Sequence, residues 1–230
     1  MMRNKPESAD TNPGSIVILI SGRGSNLRAI LEADLSCRIA AVISNHADAP
    51  GLGIARQHGI QTMTVEHRNY PDRQSFDSEL AICIDSFHPD LVVLAGFMRI
   101  LTHEFVMRYK NRLINIHPSL LPAYGGLNTH ARALQDGVKI HGCTVHFVTD
   151  DLDHGPIIIQ AAVPVFMDDT PATLGARVLH QEHRIFPQAI RWFCNGQLNL
   201  DADGIVRIQD TEQRETALIS PRMESRQCAS

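Results

Sequence analysis

Ser15-Ile16-Val17-Ile18-Leu19-Ile20-Ser21-Gly22-Arg23-Gly24-Ser25-Asn26 decides the fold. Its first half is a short, continuous apolar run of the kind buried on both faces of a parallel sheet. Its second half is a glycine-bearing turn opening a helix expected over Leu27 to Ala33. Free N–H groups and the helix dipole at such a turn favour an anion, glycine lets the backbone approach it, and Ser25 and Asn26 add hydrogen bonds. Leu27 stands where a dinucleotide fingerprint places its third glycine, and the lysine of a P-loop is absent. A monophosphate cradle fits better, against the alternative of a tight turn with no ligand.

Working outward, the pattern predicts strands over Arg38 to Ser44, Gln61 to Val65 and Asp90 to Ala95, with helices near Leu52 to Gln57 and over Pro71 to Phe87. In the second helix, Pro71 suits the first turn, and Phe76, Leu80, Ile84 and Phe87 form one stripe. This order implies right-handed crossovers and an α/β, Rossmann-like, mostly parallel twisted sheet with helices on both faces. After Leu113 the pattern changes: a strand, a helix near Thr129 to Asp136, then strands over Gly142 to Val148 and Ile157 to Val165, expected as an antiparallel C-terminal extension. Thr170-Pro171 starts a long helix to about Cys194, kinked at Pro187. Two short strand-like pieces flank Gly204. Residues 1–14 and 211–230 read as flexible tails around one domain, 15–210, with halves 15–112 and 113–210.

The chemistry is expected in the second half. Asn115 and His117 stand two apart on a strand, so amide and imidazole project to one face. Pro118 ends that strand, and Asp153 sits before the turn-forming Gly155-Pro156. Amide, imidazole and carboxylate together suit stabilising an oxyanion beside a charged histidine. Singly each has an ordinary reading: a core or surface histidine among 12, or an aspartate in a turn. Ala95 to Leu101 follows a buried strand at its carboxyl end, where open sheets bind ligands or simply pack a loop. His180 and His183 have metal-ligand spacing but no third ligand nearby in sequence, so a solvated helix face is the plainer reading. Glu182 suits a ribose hydroxyl or an ordinary surface, and Cys143 a small buried thiol.

The 230 residues are enough for a sizeable core, with 43% hydrophobic and 20% charged residues. A net charge of −4 argues against nucleic acid as a partner. The longest apolar run, Leu91 to Met98, is too short for a membrane span. Five scattered cysteines without a CxxC pair suit a reduced compartment, and a cytoplasmic enzyme is expected.

Three motifs together, SGRGSN, LAGFMRIL and INIHPSLLP with HGCTVHFVTDDLDHGPIIIQ, resemble the phosphoribosylglycinamide formyltransferase (glycinamide ribonucleotide transformylase) family over Ser15 to Asn199. The resemblance implies a formyltransferase fold and transfer of a formyl group from 10-formyltetrahydrofolate, as co-substrate, to the amine of 5'-phosphoribosylglycinamide in purine biosynthesis. By motif match the catalytic residues are Asn115, His117 and Asp153, and the phosphate and ribose site is Gly24, Ser25, Asn26 and Glu182. The folate site is Arg73, Met98, Arg99, Ile100, Leu101, Asn115, Val148, Thr149, Asp150, Asp151, Leu152 and Asp153. The resemblance also implies a cis Leu121–Pro122 bond, no metal, small-molecule substrates, and a monomer or weak homodimer. Three positions depart from the family pattern: Gly125 for a proline, Asn128 for a frequent histidine, and Leu179 for a polar residue. A methionyl-tRNA formyltransferase would need a further RNA-binding domain, and a formyltetrahydrofolate hydrolase a regulatory one. A non-catalytic nucleotide-binding module would keep the sheet without needing Asn115, His117 and Asp153 together.

Overall fold

The computed structural model describes residues 14–209 and Ser220. Apart from Gly14 and Ser220, both expected tails lie outside the described residues. The elements in chain order are β1 (Ser15–Ile20), α1 (Ser25–Leu31), β2 (Arg38–Ser44), α2 (Pro50–Gln57), β3 (Thr62–Thr64), α3 (Arg73–Asp85), β4 (Leu91–Leu94) and α4 (His103–Arg108). They continue with β5 (Leu113–His117), α5 (Thr129–Gln135), β6 (Ile140–Phe147), β7 (Ile157–Pro164), α6 (Pro171–Cys194), β8 (Leu198–Leu200) and β9 (Val206–Ile208).

One seven-stranded sheet runs β3-β2-β1-β4-β5-β6-β7, and β8 pairs with β9 in a separate hairpin. β1 to β5 pair in parallel, whereas β5–β6 and β6–β7 are antiparallel, as the sequence predicts. The chain order reverses between β1 and β4, and such a switch point opens a crevice at the carboxyl ends of the strands. Period-two alternation divides the strands between two cores. Ile16, Ile18 and Ile20 pack with α1, α2 and α6, while Val17 and Leu19 face α3 and α4.

Local chemistry moves several boundaries. α1 starts at Ser25, not Leu27, because Gly24 takes a left-handed φ of 79° and caps it there. α3 starts at Arg73: the Asp72 carboxylate accepts from Ser75 N–H at 2.8 Å and caps the helix, leaving Pro71 outside. The six-residue α4 has no counterpart among the sequence expectations, being too short to show a periodic stripe. α6 runs unbroken through Pro187, which is itself buried. No helix among the described residues is long and apolar enough to cross a membrane.

Gly24 is also the point of closest approach between the first two crossover segments. A Cβ there would stand 2.8 Å from the Gly51 Cα, in a backbone conformation that side chains rarely adopt. Gly24→Ala is therefore expected to cost about 2–4 kcal/mol, combining the left-handed penalty with backbone repulsion. Urea unfolding measures this; a loss below about 0.5 kcal/mol contradicts it.

Candidate active site

The central strand β5 separates two environments. Ile114 and Ile116 enter one apolar core, and Asn115 and His117 therefore project to the opposite face. β6 repeats the division beside it: Cys143, Val145 and Phe147 join the same core, while Thr144 and His146 pair with His117 and Asn115 across the ladder. A polar strip of four side chains results, with His117, Thr144 and His146 buried and Asn115 half-buried.

Each member of the strip is held by specific hydrogen bonds. His146 donates from Nδ1 to the Phe147 carbonyl at 2.9 Å, which leaves Nε2 to accept from the Asn115 amide at 3.3 Å. Burial pushes the His146 pKa down, keeping the ring in this neutral, accepting form. His117 donates from Nε2 to the Tyr124 carbonyl at 3.0 Å. Its Nδ1 lies 3.4 Å from Asp153 Oδ1, with both side chains only 7% exposed. Asp153 Oδ2 accepts from Gly126 N–H at 2.7 Å, and Oδ1 is 3.9 Å from His146 Nε2. Thr144 donates to the Ser119 carbonyl at 2.7 Å and accepts from Leu121 N–H at 3.0 Å, tying down the turn after His117. That turn contains a cis Leu121–Pro122 bond.

Asp153 comes from the loop after β6. The loop presses against the strand end at Gly155, where a Cβ would fall 1.8 Å from the Phe147 carbonyl oxygen. Asp153 itself has a φ of 58°, as do Tyr124 and Asn128 in the facing turn. Non-glycine residues in this region carry local strain, tolerated where surrounding contacts over-determine the backbone. At Gly125 a Cβ would meet Asp153 at an ordinary 3.6 Å. Here Arg132 donates to the Gly125 carbonyl at 2.6 Å and holds the turn from outside.

The remaining expected residues lie on α6 and on the segments that follow β1, β3, β4 and β6. Gly24, Ser25 and Asn26 follow β1, and Asn26 donates to Glu182 Oε2 at 2.7 Å. Glu182 is 7% exposed, which overturns the surface reading of this residue. It lies in register with Leu174, Val178 and Phe186 on the buried stripe of α6, a carboxylate at apolar spacing that the sequence already displays. Met98 and Ile100 are exposed beyond β4, and Leu101 and Val148 pack on the second apolar core. The Arg99 guanidinium stacks 5.0 Å from the Phe76 ring centre. Arg73 is exposed, and its charge reaches the buried Asp77 together with that of Arg99. Thr149, Asp150, Asp151 and Leu152 are exposed around Asp153, and His103 of α4 pairs with Asp150 at 2.8 Å. His180 and His183 find no third metal ligand among the described residues. Sequence reading did not single out His146 and Thr144, although both stand at the polar positions of an alternating strand.

The fold and site define a formyl transferase: the family model for formyl transferases matches residues 15–190, and the chain belongs to that family. Within it, the chain is 53% identical to Escherichia coli phosphoribosylglycinamide formyltransferase over 190 residues, covering 81% of this chain and 90% of that protein. Among solved structures, the Coxiella burnetii phosphoribosylglycinamide formyltransferase superposes with a TM-score of 0.81 at 51% identity, covering 85% of this chain and 93% of that one. Glycinamide ribonucleotide transformylase 1 from Symbiobacterium toebii gives 0.84 at 47%, covering 87% and 96%.

Glu182 offers a direct check on the electrostatics. Burial, partly offset by the Asn26 hydrogen bond, raises its pKa above the ordinary carboxylate range. Its contribution to stability is then complete below the unfolded pKa of about 4.3 and declines as pH rises through the folded value. Glu182→Gln is expected to melt above the parent near pH ~8 and level with it near pH ~4. A melting difference independent of pH contradicts the assignment.

Proposed function

We propose that this chain transfers the formyl group of 10-formyltetrahydrofolate to the amine of 5'-phosphoribosylglycinamide, a step of de novo purine biosynthesis. The observation that carries the reading is the convergence of Asn115, His117 and Asp153 at the carboxyl end of β5 in a chain of this family. The amine lone pair attacks the formyl carbon, and the carbonyl π pair moves onto oxygen. Asn115 has one amide N–H engaged by His146 and a second for that oxygen. His117 offers the Nε2 proton now held by the Tyr124 carbonyl. Asp153 stands behind the imidazole, and its negative charge offsets the positive charge that gathers on the ring as Nε2 donates to the oxyanion. Collapse of the tetrahedral intermediate breaks the bond to the folate nitrogen. The proton lost by the amine passes to that nitrogen through Asp153 or a water beside it. Direct attack requires neither an acyl-enzyme nor a metal.

The ribonucleotide phosphate is assigned to Gly24, Ser25 and Asn26, and a ribose hydroxyl to Glu182. β1 and β5 are separated only by β4, so their ends lie about 10 Å apart, a span suited to a ribonucleotide. The folate is assigned to Arg73, to Met98 through Leu101, and to Val148 through Asp153. Leu179 in place of a polar residue leaves Glu182 the main contact of α6 to the ribose.

The test offers 10-formyltetrahydrofolate with glycinamide ribonucleotide, initiator methionyl-tRNA or water as acceptor. Formylated ribonucleotide is the expected product, and preference for water or tRNA overturns the reading. Asp153→Asn is expected to lower kcat by about 10²–10³-fold, on the scale of losing one oxyanion-stabilising group. Both substrates should still bind in equilibrium titrations, and near-parental turnover rules out the role given to Asp153.

A further inference from the structure

At the carboxyl ends of the outer strands, a second group of polar side chains has no part in the proposed chemistry. β2 and β3 end side by side, with Ser44 paired to Thr64. Their ladder continues past both strands: Val65 N–H donates to the Ser44 carbonyl at 3.0 Å and His67 N–H to the Asn45 carbonyl at 3.4 Å. The paired backbone places His46, Glu66 and His67 together, one ligand atom from each within 4.8 Å of the others.

An ordinary surface ion pair explains this group poorly. Glu66 Oε2 accepts from Ala47 N–H at 3.2 Å, which fixes the carboxylate. Its Oε1 is buried and takes no hydrogen bond, although His67 Nδ1 lies 3.3 Å away and His46 Nδ1 3.9 Å away. The Nδ1 proton of His67 goes instead to the Asn45 carbonyl at 2.9 Å. Nδ1 is the His67 atom that faces Glu66, so ligation through it exchanges this hydrogen bond for a bond to the metal. A buried acceptor beside two imidazoles, on a rigid backbone, is what a cation would satisfy.

We propose that His46, Glu66 and His67 bind one divalent transition-metal ion of the zinc type. Two imidazoles and a carboxylate favour Zn²⁺, Ni²⁺ or Co²⁺ over Mg²⁺ or Ca²⁺, which prefer all-oxygen shells. Tetrahedral bonds near 2.1 Å set the ligand atoms about 3.4 Å apart, a closure that side-chain rotation supplies. The three side chains keep 30%, 24% and 20% of their exposure, leaving access for a water as fourth ligand. The ion would clamp the outer edge of the sheet. It would also brace Asn45, which accepts from Ser21 Oγ–H at 2.6 Å, while Ser21 Oγ accepts from Met98 N–H at 2.8 Å.

The test uses untagged, chelator-stripped full-length protein titrated with ZnCl₂, read by calorimetry, bound-metal analysis and thermal melting. One ion per chain is expected, with melting raised by roughly 5–10 °C at 100 times Kd. His46→Ala and Glu66→Gln should each weaken binding at least about tenfold and remove the melting shift, while melting as the parent does without zinc. The near-isosteric Glu66→Gln carries the test if His46→Ala fails to fold. His180→Ala/His183→Ala and Asp153→Asn should bind zinc like the parent. Absence of binding, binding unchanged in both site variants, or binding lost in either control overturns the proposal.

Discussion

Burying polar side chains on the face of a sheet is the constraint from which the rest of the site follows. His117, Thr144, His146 and Asp153 are buried and Asn115 is half-buried, on a strip where each buried unpaired group would cost about 1–3 kcal/mol. The fold answers each in turn: Asn115 with His146, His146 with the Phe147 carbonyl, His117 with the Tyr124 carbonyl, and Asp153 with Gly126 N–H. These bonds require the turn after His117 and the loop after β6 to approach the strand ends closely. The left-handed residues Tyr124, Asn128 and Asp153, and the absence of a side chain at Gly155, follow from that approach. Strain in the loops is the consequence of satisfying the strip.

The same alternation gives β5 one polar face and one apolar face. Ile114, Ile116, Cys143, Val145 and Phe147 are packed against α6, so the polar face stands on a rigid support. α6 contributes to both sides: Val178 and Phe186 enter the core, and Glu182 between them reaches Asn26 at the start of α1. One helix thereby links the packing under β5 to the cradle after β1. Ser21 makes a second link, with its N–H donating to the Gly96 carbonyl at 3.2 Å across the switch point.

Much of this is legible in the residues themselves. β1 and the middle of β2 are uninterrupted apolar runs, β5 alternates apolar and polar residues up to Pro118, and their observed limits agree with the pattern. The start of α3 is not, because the Asp72 cap competes with Pro71 as a start signal and only the bond to Ser75 decides between them. Asn115 and His117 are legible from two-residue spacing, and Asp153 from its turn and from the family motif. His146 is hidden because its role depends on which residue of β5 lies opposite, and cross-strand register is not local information. Glu182 was open to a better reading, since its spacing from Val178 and Phe186 places it on the buried stripe.

Buried polar atoms that the protein leaves unpaired point to where something else binds. Asn26 Oδ1 has no partner although its amide is tied to Glu182, which leaves an acceptor at the cradle where a ribonucleotide is assigned. Arg99 Nε and Asp77 Oδ1 are unpaired under the loop assigned to the folate. Glu66 Oε1 is unpaired between two histidines. An unmet hydrogen bond costs stability unless a water, an ion or a ligand group supplies the partner. On this view the transfer site and the histidine–glutamate cluster share one physical signature. They differ in what completes them: substrate hydrogen bonds along the switch-point edge, and a cation beside β2 and β3.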